Sequence, residues 1–202
     1  SLSIPWGSRK GDEDLGGYHL VWPRDLVEAA GALLAIGQRD SALRVLDYLQ
    51  SVQEADGSWA QNMWVDGEPY WRGIQLDEAA FPILLLDLLR RDRPLPDDRV
   101  QGFWSMIKRA ASFIIRNGPV TDQDRWEEDA GLAPFTVAVQ IAALLVTAEL
   151  AERIGEPAIG RYLRETADAW NDMIDDCVYV RDTPLARTLG VDGYYVRIAP
   201  PE

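Results

Sequence analysis

The sequence predicts an all-α fold in which apolar helices form an inner layer and amphipathic helices an outer one. Two observations carry this expectation. Segments that are apolar on nearly every side alternate three times with segments striped on one face, and the pairs recur at roughly 50 residues. A helix that is apolar all round must be covered on all sides, whereas a striped helix can face water on one. Three such pairs describe part of an inner ring wrapped by an outer ring, the logic of an α/α barrel. An ordinary helical bundle is the alternative that pattern alone leaves open.

The first pair opens with "PRDLVEAAGALLAIG", Pro23 to Gly37, where Pro23 suits the first helical position. It continues with "DSALRVLDYLQSVQE", striped at Ala42, Val45, Leu46, Leu49 and Val52, with Asp40 as expected N-cap. The second pair is "QLDEAAFPILLLDLL" followed by "RVQGFWSMIKRAASFII", striped at Val100, Phe103, Trp104, Ile107, Ala111 and Ile114. The third is "PFTVAVQIAALLVTAEL", almost wholly apolar, then "AIGRYLRETADAWNDMI", striped at Ile159, Tyr162, Leu163, Trp170 and Ile174. Six helices make only part of a ring. The segments before the inner helices are longer than connections require, which marks them as functional loops.

Composition narrows the chemistry. A formal net charge of −13 over 202 residues argues against nucleic acid or an anionic membrane surface as partner, since both reward Lys and Arg. It suits a neutral substrate. The single cysteine, Cys177, excludes an internal disulfide framework and a cysteine-cluster metal site, and is expected as a buried, inert thiol. The single histidine, His19, argues against a histidine-based triad. No run of 18 apolar residues and no basic-then-apolar leader occurs, so no membrane span or secretion signal is expected, and secreted and cytoplasmic locations both stay open.

The long segments hold the distinctive residues. Asp25 closes "GGYHLVWPRD", Asp77 lies in "DGSWAQNMWVDGEPYWRGIQLDE", and Glu127 lies in "DRWEED", again about 50 residues apart. If the inner helices run parallel, these carboxylates and the helix N-termini converge at one mouth of the ring. Six of the eight tryptophans (Trp6, Trp22, Trp59, Trp64, Trp71 and Trp126) lie in or near these segments, and Trp104 and Trp170 lie on outer helices. Flat apolar platforms beside carboxylates suit a carbohydrate, whose rings offer C–H faces for stacking and hydroxyls for hydrogen bonds. Breaking a glycosidic bond takes two carboxyl groups, one of them a proton donor kept protonated by apolar or like-charged surroundings. Trp126 and Glu128 are expected to supply such surroundings for Glu127. The alternative is that Glu127 and Glu128 merely complement the positive end of the following helix.

The motifs "GGYHLVWPRDL", "DGSWAQNMWVDGEPYWRGIQLDEAA", "RWEEDAGLAPFTVAVQIAAL" and "TPLARTLGVDGYYVRIAPPE" resemble the prokaryotic glucoamylases and glucodextranases of glycoside hydrolase family 15. The resemblance covers nearly the whole chain. It implies an (α/α)6 barrel enzyme that releases glucose from the non-reducing ends of α-glucans with inversion, without a cofactor. Carried over, "WEE" makes Glu127 the general acid and sets Glu128 on the sugar; "WPRD" places Arg24 and Asp25 on the hydroxyls of the terminal glucose. Tyr18 and Trp22 line the pocket for that ring, Trp71 packs near the acid and the next sugar, Gln75 is carried over as a further substrate-binding residue, and Asp77 is a candidate without an assigned role. Family members have twelve barrel helices, a general base in the second half of the barrel and, in bacteria, an N-terminal β-sandwich. The sequence has about six helices and none of those other parts. It is therefore expected to form about half a barrel over 1–202, with no second domain, and half an active site that needs the remaining half as partner. The base of an inverting pair stands roughly 6.5–9.5 Å from the acid, and no residue here is assigned to it. Linkage preference, α-1,4, α-1,6 or trehalose, stays open.

Two other functions compete. "QEADGSW", with Gln53, Asp56, Gly57 and Trp59, resembles the repeat motif of triterpene cyclases, which also use α/α barrels. Those need an Asp-x-Asp-Asp proton donor, and "DEDL" at Asp12 to Leu15 lacks its final aspartate; as a structural element, Asp56-Gly57 reads as an ordinary turn. The second competitor is a non-catalytic carbohydrate-binding or scaffold protein. Asp122, Asp124 and Asp129 cluster as solvated loop acids or, alternatively, as oxygen ligands for calcium.

Overall fold

A computed structural model describes residues 20–200; Tyr18, His19, Trp6 and the Asp12–Leu15 stretch lie outside the described residues. The chain divides into two compact units, one of residues 20–74 and 78–113, the other of 75–77 and 114–200.

The first unit begins with helices α1 (Pro23–Ala35) and α2 (Arg39–Ser51), packed on each other. Pro23 occupies the first turn of α1, as expected, and Asp25 is its first-turn acid. Asp40 is not the N-cap of α2: Gln38 takes that place without a side-chain bond, and Asp40 sits in the first turn, where its charge still complements the dipole. The stripe on α2 is real, with Ala42, Leu46 and Leu49 buried. α1, however, is covered on one side only. Val27 and Ala30 are buried, but Ala29, Ala32 and Ala35 face solvent and Ile36 is 73% exposed.

After α2 the chain makes a short hairpin of β1 (Asn62–Met63) and β2 (Pro69–Trp71), antiparallel with a bulge, and Met63 also bridges to Val21. The pattern had not marked these strands. Their turn is the "VDG" stretch, where Gly67 has φ +90° and an added Cβ would lie 2.5 Å from Val52 Cγ1. Most of α3 (Leu76–Asp92) and of α4 (Asp97–Asn117) completes the unit. α3 is buried on most sides, leaving only Phe81, Leu84 and Leu88 partly open among its apolar residues up to Leu89. α4 carries the expected stripe, with Phe103, Ile107, Ala111 and Ile114 buried. Polar ties pin the helices together. Arg39 donates from Nη1 to the Leu89 carbonyl at 2.7 Å and to Asp92 at 2.9 Å; Gln53 Nε2 donates to the Gly57 and Met106 carbonyls at 3.0 Å each.

The second unit is built on α5 (Pro134–Arg153) and α6 (Pro157–Val178), its most extensively packed pair. Among the described residues α5 alone is long and apolar enough to cross a membrane by length and composition; over half of that stretch is buried within the protein. On α6 the buried face is Gly160, Leu163, Ala167 and Trp170, so Tyr162, expected in the stripe, lies one position off it and is exposed. Cys177 is likewise exposed and not the buried thiol expected, because its neighbour Val178 takes the inward position. The strands β3 (Tyr179–Arg181) and β4 (Gly193–Tyr195) flank a short helix, α7 (Pro184–Leu189). Thr183 caps α7 by accepting from the Ala186 amide, and Gly190 ends it in the left-handed conformation.

Candidate active site

In the first unit three of the predicted sugar-contacting residues, Trp22, Arg24 and Asp25, stand at the start of α1, and Trp71 stands on β2. Trp22 is the N-cap of α1, half-buried, with extended backbone. Arg24 is buried at 7% exposure, and burying a guanidinium demands countercharge. Carboxylates contribute to it: Asp25 Oδ2 lies 3.7 Å from Nη2, and Glu78 Oε1 lies 3.9 Å from Nη1. Glu78 is as buried as Arg24, whereas Asp25 is about half open to solvent. Glu78 escaped the pattern because it adjoins Asp77 in a run that otherwise reads as core. Trp71 stands on β2 at 44% exposure, its ring centroid 5.3 Å from that of Tyr70, which in turn meets Trp64 edge-on at 5.6 Å. These three form a half-open aromatic group. Trp59 stands apart from this group: it is largely buried, and its indole N–H is spent on the Leu49 carbonyl at 2.8 Å.

In the second unit the "DRWEED" segment forms a loop closed like a hairpin. Thr121 and Gly131 exchange backbone hydrogen bonds at 3.0 Å, and the Asp124 amide donates to the Asp129 carbonyl at 2.8 Å. Asp124 organises the interior. It is 2% exposed, its Oδ1 accepts from the Trp126 and Glu128 amides at 3.2 and 3.1 Å, and its carbonyl accepts from the Glu127 amide at 2.8 Å. Glu127, half-buried, is thereby held at φ +64°, a left-handed conformation that a non-glycine residue adopts only under constraint.

The constraint extends some 70 residues along the chain. Arg197 donates from Nη1 to Asp124 Oδ2 at 2.6 Å and to Glu128 Oε2 at 2.8 Å, and from Nη2 to Asp129 Oδ2. Desolvation pulls the Arg197 guanidinium down, but the charges of Asp124, Asp129 and Glu128 outweigh it and raise its pKa above the ordinary value. The backbone on either side of this contact is tied as well, since Leu132 and Ala199 exchange hydrogen bonds at 2.9 Å. An added Cβ at Gly131 would lie 2.1 Å from the Ala199 carbonyl oxygen. Gln75 and Asp77, both buried, join the same loop through the Leu76 amide, which donates to Thr121 Oγ1 at 3.2 Å.

The surroundings of Glu127 differ from those expected. Trp126 is 62% exposed, stacked beside the Arg125 guanidinium at 5.1 Å, so it is not an apolar cover. The charge of Glu128 is compensated by Arg197. Nor do Asp124 and Asp129 form an open oxygen cage: a guanidinium stands between them, and among the described residues no group of three His, Cys, Asp or Glu side chains is placed to hold a metal ion. Asp124 and Arg197 brace this loop; pattern reasoning had marked Asp124 only as a loop acid or calcium ligand and had not marked Arg197. The available signal was an aspartate two residues before an amide that needs an acceptor, a common turn device; nothing local pointed to Arg197.

Apolar helices alternating with amphipathic ones define the class of α/α-barrel proteins, and this chain adds a carboxylate at the start of α1 in one unit and a braced acidic loop in the other. Comparison with known proteins sharpens this to a family. The description of glycosyl hydrolases family 15 matches residues 47–200, and the chain belongs to that family. It is 45% identical over 199 residues, 98% of its length, to the glucoamylase of Clostridium sp. strain G0005, and 32% identical over 131 residues, 63% of its length, to an uncharacterized glycosyl hydrolase of Methanocaldococcus jannaschii. The chain spans 27% and 21% of those relatives. Its structure superposes on a bacterial glucoamylase complexed with acarbose with a TM-score of 0.82 at 44% identity, covering 93% of this chain and 26% of that one. A glucoamylase from Saccharomycopsis fibuligera matches with a TM-score of 0.66 at 16% identity, over 79% of this chain and 40% of that one, a likeness of fold. The fold is thus part of the (α/α)6 barrel of glucoamylases, as the helix pattern and the motifs predicted.

Proposed function

We propose that this chain carries the acid side of the active site of an inverting, exo-acting glucoamylase- or glucodextranase-type hydrolase. Glu127 is the general acid that protonates the glycosidic oxygen, and Glu128 contacts the sugar at the same bond. Arg24 and Asp25 hold the hydroxyls of the terminal glucose, Tyr18 and Trp22 line its pocket, and Trp71 and Gln75 lie toward the next unit. The reaction needs no cofactor, because two carboxyl groups and a water complete it. The observation that carries the proposal is the braced, left-handed backbone at Glu127. Such strain persists only where the surrounding structure over-determines it, and it concentrates at functional sites. The identity to glucoamylases over nearly the whole chain supports the same substrate class.

None of the residues given a role here is a general base. The chain on its own is therefore proposed to bind α-glucan weakly and to turn it over little. The test is a chimera in which this chain replaces the matching quarter of the Clostridium glucoamylase. Glucose release by the chimera, lost by about a thousandfold or more in Glu127→Gln with folding intact, is the expected result. Near-normal release from that variant removes Glu127 from the acid's role.

A further inference from the structure

The first unit holds a second candidate site, apart from the residues given catalytic roles. A cavity of about 360 Å³ opens between the turn after α2 and the segment following β2, lined by Glu54, Asp56, Ser58, Trp59, Arg72 and Ile74 among others. That volume lies within the range of small-molecule sites, roughly 300–1,000 Å³. We propose that this cavity is an accessory glucan-binding pocket that accepts one glucosyl unit of an oligosaccharide. The proposal rests on the glucan-binding function set out above.

The lining selects a neutral, hydroxyl-rich ligand. Trp59 has spent its indole N–H on Leu49, so with Ile74 it contributes apolar wall and no donor. Arg72 Nη1 donates to Glu54 Oε1 at 3.1 Å, and among the described residues the other donors of this largely exposed guanidinium meet no acceptor. A carboxylate beside a guanidinium matches a vicinal diol, one hydroxyl donating to the acid while its neighbour accepts from the guanidinium. An anion would meet Glu54 and Asp56, and a cation would meet Arg72, so a polyol is favoured over both.

The wall is also built in advance, which lowers the entropic cost of binding. Asp56 Oδ1 accepts from the Ser58 amide at 2.9 Å and from the Ser58 hydroxyl at 2.7 Å. Gly57, at φ +102°, fits only because it lacks a Cβ, which would lie 2.2 Å from the Arg109 carbonyl oxygen on α4. The turn is therefore locked to a helix, unlike a free surface loop.

The indole N–H of Trp59 is a built-in reporter, followed by ¹H–¹⁵N spectroscopy on the ¹⁵N-labelled chain and assigned with Trp59→Phe. Maltoheptaose is expected to shift it saturably in the native chain and in Asp25→Asn. Arg72→Met and Glu54→Gln, at partly exposed positions where folding is not at stake, should each weaken that response about tenfold. Glucan binding seen at other signals while Trp59 stays still, or a response unchanged in both pocket variants, overturns the pocket and leaves the family site standing. A Trp59 shift produced equally by inorganic phosphate also overturns it. Failure of any glucan to bind the native chain overturns the pocket together with the function on which it rests.

Discussion

Asp25 and Glu127 are both carboxylates proposed to face one sugar, yet they are fixed by opposite means. Asp25 sits in the first turn of a regular helix, where Pro23 presets the backbone and the dipole favours its charge. Its ion pair with Arg24 is to the adjacent residue. Glu127 sits outside any regular element, in a backbone conformation its own side chain disfavours, and depends on Asp124 and on Arg197 far along the chain. A helix start orients a side chain by local geometry and leaves it free of the rest of the molecule. A braced loop achieves a geometry no helix offers, at the cost of relying on distant residues.

Removing the brace should therefore do more harm than altering either carboxylate's neighbourhood at the helix. Asp124→Ala leaves two amides without an acceptor, at roughly 1–3 kcal/mol each. In the chimera it should also lower kcat by at least about a hundredfold through misplacement of Glu127. Urea unfolding of the chain and glucose release by the chimera read the two effects separately; an active Asp124→Ala chimera would show that the loop holds its shape unaided. Next in size, Asp25→Asn removes a charge beside Arg24 and at the start of α1, so it should cost about 1 kcal/mol in urea unfolding while lowering kcat/KM about thirtyfold, near 2 kcal/mol of transition-state contact. An unchanged specificity constant would take Asp25 out of the site.

Gly131→Ala probes the brace from its backbone side. With φ +149° and the Ala199 carbonyl in the way, it should cost about 2 kcal/mol, visible as a fall in Tm of several degrees. Equal stability would mean that the segment around Ala199 gives way easily. The smallest effect on stability belongs to Trp126→Ala, within about 0.5 kcal/mol because the ring is mostly exposed. If Trp126 nonetheless stacks on a sugar, maltoheptaose affinity should fall while the melting curve stays put.

The same contrast explains what the sequence made legible. Helix periodicity found the inner and outer elements, since burial of α3 and α5 and the stripes on α2 and α4 follow from one-dimensional spacing. It misjudged α1, because periodicity reports which residues are apolar but not which of them a neighbouring element covers; Cys177 was misplaced by residue type alone, since Val178 takes the inward position at the end of α6. The strands escaped because each is two or three residues long, shorter than any alternation can register. At the site, the motifs marked the residues of "WPRD" and "WEE", but the surroundings of Glu127 were misread. Adjacent letters suggested a tryptophan lid and a lone acidic neighbour, whereas the fold turns the ring outward and brings in an arginine from 69 positions away to meet Glu128. Local spacing cannot encode a partner at that separation.

The outward position of Cys177 has a practical consequence. As the sole sulfhydryl in the sequence, at the surface, it will take one maleimide dye per molecule, giving a uniformly labelled sample for fluorescence work. Left without reductant, the same atom will couple molecules into covalent pairs, a band at twice the mass on a non-reducing gel that dithiothreitol abolishes.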